Sequence, residues 1–134
     1  DVTGKPNESY VPSSDTFIYA TNQPTILPCE GILDVKELIH CFSDYFNISY
    51  DTAYCIARLE SNLRPTANNP VSSSDGFFQI IDGTWNSTIR RMEKAGIDVP
   101  QGLSKYDPYW NTYIGMWLMK VDGVTHWVVY RSCI

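Results

Sequence analysis

The chain has 134 residues, a hydrophobic fraction of 43% and a formal net charge of −5, from 10 Lys and Arg against 15 Asp and Glu. That length suffices for one domain with a packed core, and four Trp, nine Tyr and five Phe are not the composition of a disordered chain. No apolar run approaches the roughly 18 residues of a membrane span, and an acidic chain with no basic run lacks the electrostatic footprint of a nucleic-acid binder. The chain starts at Asp1 without an initiator Met, as expected of a processed or trimmed chain.

Residues 1–28 carry Pro6, Pro12, Pro24 and Pro28, which break any helix, around one short strand-like patch, Phe17-Ile18-Tyr19. This stretch reads as an extended N-terminal arm, packed on the domain or reaching a neighbour, and residues 29–134 as the domain. From Gly31 to Phe46, Ile32, Val35, Leu38, Ile39 and Phe42 recur at helical spacing. His40, late on this helix, reads as a surface or internally satisfied histidine, since nothing near it completes a nucleophile set. Asn47 marks the break and Ser49 caps a second helix, read over Ser49 to Asn62 and stopped by Pro65.

Asn68-Asn69-Pro70 and Ser72 to Gly76 are turn chemistry, and Phe77 to Ile81 is a short apolar run containing Gln79. The segment is predicted as a small, irregular β-hairpin. Asp82 or Thr84 is expected to cap a third helix with Trp85, Ile89 and Met92 inward, closed by Gly96. Asp107-Pro108 opens a fourth, with Asp at the N-cap and Pro at the first helical position. Its stripe of Trp110, Tyr113, Ile114, Trp117 and Val121 is rich enough for a central core helix, which Asp122-Gly123 ends. Val124 to Tyr130 forms a last short apolar element.

The cysteines are Cys29, Cys41, Cys55 and Cys133, with no CxxC spacing to suggest zinc or thioredoxin chemistry. An even count fits two disulfides in a secreted protein, with three pairings open at this point. The sequons at Asn7, Asn47 and Asn86 point the same way and make the chain a candidate glycoprotein.

Glu60 stands apart. At about 100° per residue it falls inside the apolar stripe of Ala53, Ile56, Ala57 and Leu63, while Asp51, Arg58 and Asn62 take the other side. A carboxylate on the core side of a helix costs free energy unless it is paired, protonated or lining a cleft. The plain alternative is a rim residue salt-bridged to Arg58 or Arg64. If Glu60 lines a cleft, desolvation is expected to raise its pKa, because Arg58 points away on the helical wheel.

These residues resemble the lysozyme superfamily. CIARLESNLRPTANN and the terminal HWVVYRSC are similar to c-type lysozymes, and ESNLRPTANNPVSSSDGFFQIIDGTW and DPYWNTYIGMWLMK are similar to bacterial lytic transglycosylases. The resemblance covers roughly residues 29–134 and implies an α+β, predominantly α, lysozyme-like fold with a small β-hairpin beside a helical core. It pairs Cys55 with Cys133 and leaves Cys29 for Cys41. It gives Glu60 the place of the catalytic acid and puts Ser61, Ser74, Gly76, Gln79, Trp127 and Tyr130 at substrate-binding positions. Gly76 then lets the backbone approach a sugar or is an ordinary turn glycine. Gln79 binds an acetamido group or ties the hairpin to the helix. Trp85 and Trp110 are further candidates for a cleft wall, with core packing the alternative for each aromatic.

Two departures bear on mechanism. The second carboxylate of c-type lysozymes is replaced by Ser74, and Asp75 is one residue off, which in a strand turns it to the other face. The Ala-Tyr-Asn-Ala-Gly-type motif of many transglycosylases is absent and HWVVYRSC stands in its place. The resemblance implies a secreted enzyme that uses one Glu as acid and then base on the β-1,4 bond between N-acetylmuramic acid and N-acetylglucosamine. Its partner would be peptidoglycan or a chitooligosaccharide-type glycan, with no metal and no cofactor. The rival reading is a catalytically inactive lysozyme-like scaffold, structural or glycan-binding, with self-assembly through the N-terminal arm. A Cys- or His-based hydrolase is a poorer fit, since the cysteines are better used in disulfides.

Overall fold

The structure is a computed structural model, and it describes residues 26–134. The arm's Phe17-Ile18-Tyr19 patch, the Asn7 sequon and any self-assembly through residues 1–25 lie outside the described residues. Helix α1 spans Val35–Phe46 and α2 spans Tyr50–Ser61. Asp34 caps the first by accepting the Glu37 N–H at 3.0 Å, and Ser49 caps the second by accepting the Thr52 N–H at 3.2 Å. Asn47 and Asn62 end them in left-handed conformations. Leu63 is also left-handed, with φ 61°, so it packs from the turn after α2 and not from its stripe.

Helix α3 spans Asp82–Lys94. Its N-cap is Ile81 and not Asp82 or Thr84; both of these lie inside the helix, and Asp82 is engaged elsewhere. The Asp82 N–H donates to Ser73 Oγ at 2.9 Å, and the Asp82 carboxylate pairs with Lys105. At its other end the Gly96 N–H reaches the Glu93 carbonyl and the Ile97 N–H the Met92 carbonyl, both at 3.0 Å, with Gly96 left-handed. Helix α4 spans Pro108–Asp122, with Asp107 accepting the Trp110 N–H at 3.0 Å and Pro at the start. A single 3-10 turn, Val128–Ser132, follows.

Helix α4 packs against α1 and α3, α1 against α2, and α2 against the 3-10 turn. Burial along α4 runs all round the helix from Trp110 to Met116, then Leu118 and Met119. The stripe expected from the sequence is therefore too narrow at one end and too long at the other. Trp117 is only half-buried, under the Arg91 guanidinium 5.4 Å from its ring, and Val121 is exposed. Disulfides join Cys29 to Cys41 and Cys55 to Cys133. The second links residues 78 apart in sequence, a loop whose closure contributes about 4–5 kcal/mol in the chain-entropy account.

Between α2 and α3 the expected hairpin is reduced to two isolated bridges, Asn68 with Asp75 and Asp75 with Ile80. Two left-handed residues, Gly76 at φ 82° and Gln79 at φ 50°, coil the chain too tightly for paired strands. The buried backbone here finds partners on other elements. The Phe78 N–H donates to Asn111 Oδ1 at 3.0 Å, and its carbonyl accepts Trp127 Nε1–H at 2.8 Å. Asn111 Nδ2 donates to the Lys105 carbonyl at 2.8 Å and the Asp75 carbonyl at 3.3 Å. Gly115, one turn along α4, makes room for the Phe78 ring, since a Cβ there would lie 2.9 Å from it.

Asn111→Leu keeps most of the volume but leaves the Phe78 N–H and the Lys105 carbonyl buried without partners. It is expected to cost about 2–4 kcal/mol of stability, measured by urea unfolding, and to speed hydrogen exchange at the Phe78 amide. A loss below about 1 kcal/mol would show that other contacts hold this loop.

Candidate active site

Glu60 occupies the last turn of α2, where Ala53, Ile56 and Ala57 are fully buried and Glu60 itself half-buried. It opens onto a groove of about 290 Å³ between the 68–81 loop and the helical body. Asn69, Ser74 and Gln79 form the loop side, Leu118 of α4 lines the groove from the helical body, and Ile80, Ile81 and Thr84 lead into α3. His126, Trp127 and Val128 form the remaining wall.

Burial alone pushes the Glu60 carboxyl above its ordinary pKa. Among the described residues no salt bridge reaches it, and Arg64 instead donates through Nε to the Ser61 carbonyl at 3.1 Å. The rim salt bridge to Arg58 or Arg64 is therefore not formed. A carboxyl made less acidic by burial, next to an open groove, is suited to deliver a proton to a bound leaving group.

The other expected site residues divide. Ser74, Gln79 and Trp127 line the groove with Glu60. Ser61 does not; it is buried, and its hydroxyl donates to the Ala57 carbonyl at 2.9 Å. Gly76 is packed against α4, where a Cβ would sit 2.3 Å from both Asn111 Nδ2 and the Lys105 carbonyl. Gln79 ties the loop to itself and not to the helix, with Nε2 donating to the Ala67 and Gly76 carbonyls at 3.1 and 3.0 Å. Tyr130 is half-buried in the 3-10 turn beside Arg131 and does not line the groove. Trp85 and Trp110 are core.

Asp75 accepts from Asn68 Nδ2 at 3.1 Å and pairs with Lys105 at 3.4 Å, outside the set of groove-lining residues. Lys105 also reaches the Ser73 carbonyl and the Asp82 carboxylate, so one largely covered ammonium staples the loop to the start of α3. Asn47 and Asn86 are exposed. Lys105 and His126 escape a reading of the sequence, since both lie in loops without periodicity. His126 stands four residues after Asp122, and its Nε2 lies 3.0 Å from Asp122 Oδ2. Hydrogen bonds from Arg91, then from His126, hold the Asp122 carboxyl well below the usual range.

The raised pKa of Glu60 carries a sign. The folded chain binds this proton more tightly than the unfolded one, so its contribution lowers stability as pH rises from the ordinary carboxyl range through the folded value. Glu60→Gln is expected to raise the thermal midpoint near neutral pH and to leave it unchanged in acid below that range. An unchanged midpoint at both would show that the carboxyl is fully solvated.

The family model described as Transglycosylase SLT domain matches residues 37–122. No curated protein and no solved structure matches the chain. The match takes in Glu60, the whole 68–81 loop and α4 with its Asn111 and Gly115, and it stops short of the 126–128 wall. Because it spans more than half of the sequence and contains the residues that shape the groove, the chain belongs to the transglycosylase SLT domain family, of the lysozyme-like superfamily.

Proposed function

We propose that this chain cleaves peptidoglycan at the β-1,4 bond between N-acetylmuramic acid and N-acetylglucosamine, with Glu60 as its single catalytic carboxyl. The observation that carries the reading is the half-buried Glu60 facing a groove whose loop side offers Ser74 and no second carboxylate. Protonated Glu60 gives its proton to the glycosidic oxygen as the C1–O bond breaks. The substrate's own N-acetyl oxygen then bonds to C1, the role a second carboxylate fills in paired-carboxylate enzymes. Glu60, now ionised, takes the proton of the sugar's 6-hydroxyl, whose oxygen closes onto C1 and releases the N-acetyl group. Two disulfides suit an oxidising compartment. We therefore assign the chain to the extracellular side, with Asn47 and Asn86 exposed for glycosylation if its source is a eukaryote.

The absence of a second carboxylate also favours a second reading, an inactive glycan-binding scaffold. The two separate on incubation with purified cell walls. Wild type is expected to release muropeptides with anhydro ends, and Glu60→Gln to lose at least about 100-fold in rate while still binding chitooligosaccharide. Asp75→Asn should keep activity within a few-fold, because Asp75 is engaged with Asn68 and Lys105. Equal damage from both variants at unchanged stability would establish a paired-carboxylate mechanism instead. A wild type that binds glycan but releases nothing would establish the scaffold.

A further inference from the structure

Among the described residues that line the groove, His126 is the one titratable side chain besides Glu60, and it lies beyond the stretch matched by the family. It belongs to a linked set drawn from three parts of the chain. Arg91 of α3 donates twice to Asp122 at the end of α4, at 2.8 and 2.9 Å, and Asp122 in turn meets His126 Nε2 at 3.0 Å. The set does little for stability, since the His126 side chain is 40% exposed and ion pairs of that exposure contribute about 0–1 kcal/mol. What it does is fix the ring. An ionised carboxylate only accepts hydrogen bonds, so Nε2 must carry the proton that faces Asp122. In the neutral ring Nδ1 is then the nitrogen with a lone pair, and among the described residues it has no hydrogen-bond partner. Trp127, its ring centroid 6.0 Å from that of His126, bounds the same wall.

We propose that His126 is a specificity-determining residue of the groove, whose Nδ1 accepts a hydrogen bond from a hydroxyl or acetamido N–H of the bound sugar, with Asp122 and Arg91 as positioning residues. This rests on the glycan reading above. It adds a contact on the wall formed by residues 126–128.

The test is calorimetric titration of the full chain with the hexasaccharide of N-acetylglucosamine, in a Glu60→Gln background so that no turnover intervenes. His126→Gln places an amide where Nε2 was, keeps the approach to Asp122 and removes the acceptor at Nδ1. It is expected to raise Kd roughly three- to tenfold. His126→Asn places its amide where Nδ1 was and is expected to bind within about twofold of the parent. Thermal midpoints should stay level throughout, and a long-range proton–nitrogen spectrum should show the Nε2-protonated tautomer. Parent-like binding by His126→Gln would overturn the proposal, as would equal weakening by Gln and Asn or an Nδ1-protonated ring. If the parent fails to bind the hexasaccharide, the glycan reading falls and this proposal with it. If the parent binds and His126→Gln matches it, this proposal alone falls.

Discussion

A buried peptide group must find a hydrogen-bond partner, and the peptides around Phe78 have no neighbouring strand to supply one. Asn111 meets the N–H and Trp127 the carbonyl, so one residue of the loop is clamped between α4 and the C-terminal wall. The remaining features of the groove follow from that clamp. Gly76 must be glycine because Asn111 and the Lys105 carbonyl occupy the place of its Cβ. Gln79 must turn left-handed while its side chain closes the loop on Ala67 and Gly76. The loop then stands off Glu60 by the width of a groove and does not collapse onto it.

The electrostatics of that groove are uneven. Glu60 is made less acidic by loss of water alone, whereas Asp122, in contact with His126, is made more acidic by the groups that donate to it. One carboxyl is shifted toward its neutral form and the other toward its ionised form. The difference lies in partners and not in residue type, and it arises because α2 presents Glu60 on an apolar face while α4 presents Asp122 at its polar end.

Much of the helical body is legible in the sequence because its signals are local. Ser49, Asp107-Pro108 and Gly96 act within a few residues of where they stand, and the phase of Glu60 against Ala53, Ile56 and Ala57 needs only the helical period. The irregular parts depend on residues distant in sequence. Gly76 answers to Asn111, Gln79 to Ala67, and Lys105 to Ser73, Asp75 and Asp82, so turn chemistry alone gave the segment a hairpin it does not form. Asp82 could not be read as a salt-bridge residue, since its partner lies beyond α3. His126, also in a loop, was hidden for a further reason, as its spacing from Asp122 is helical but the helix ends between them.

The Cys55–Cys133 bond joins the helix that carries Glu60 to the end of the 3-10 turn that Trp127 and Val128 begin. Glu60 and the wall that completes its groove are thereby held on one covalent frame, five residues from the sulfur on one side and five on the other for Val128. The wall can therefore move from α2 no further than the disulfide allows. The 68–81 loop has no such tether; hydrogen bonds and the Lys105 ion pairs hold it, so any widening of the groove falls to the loop.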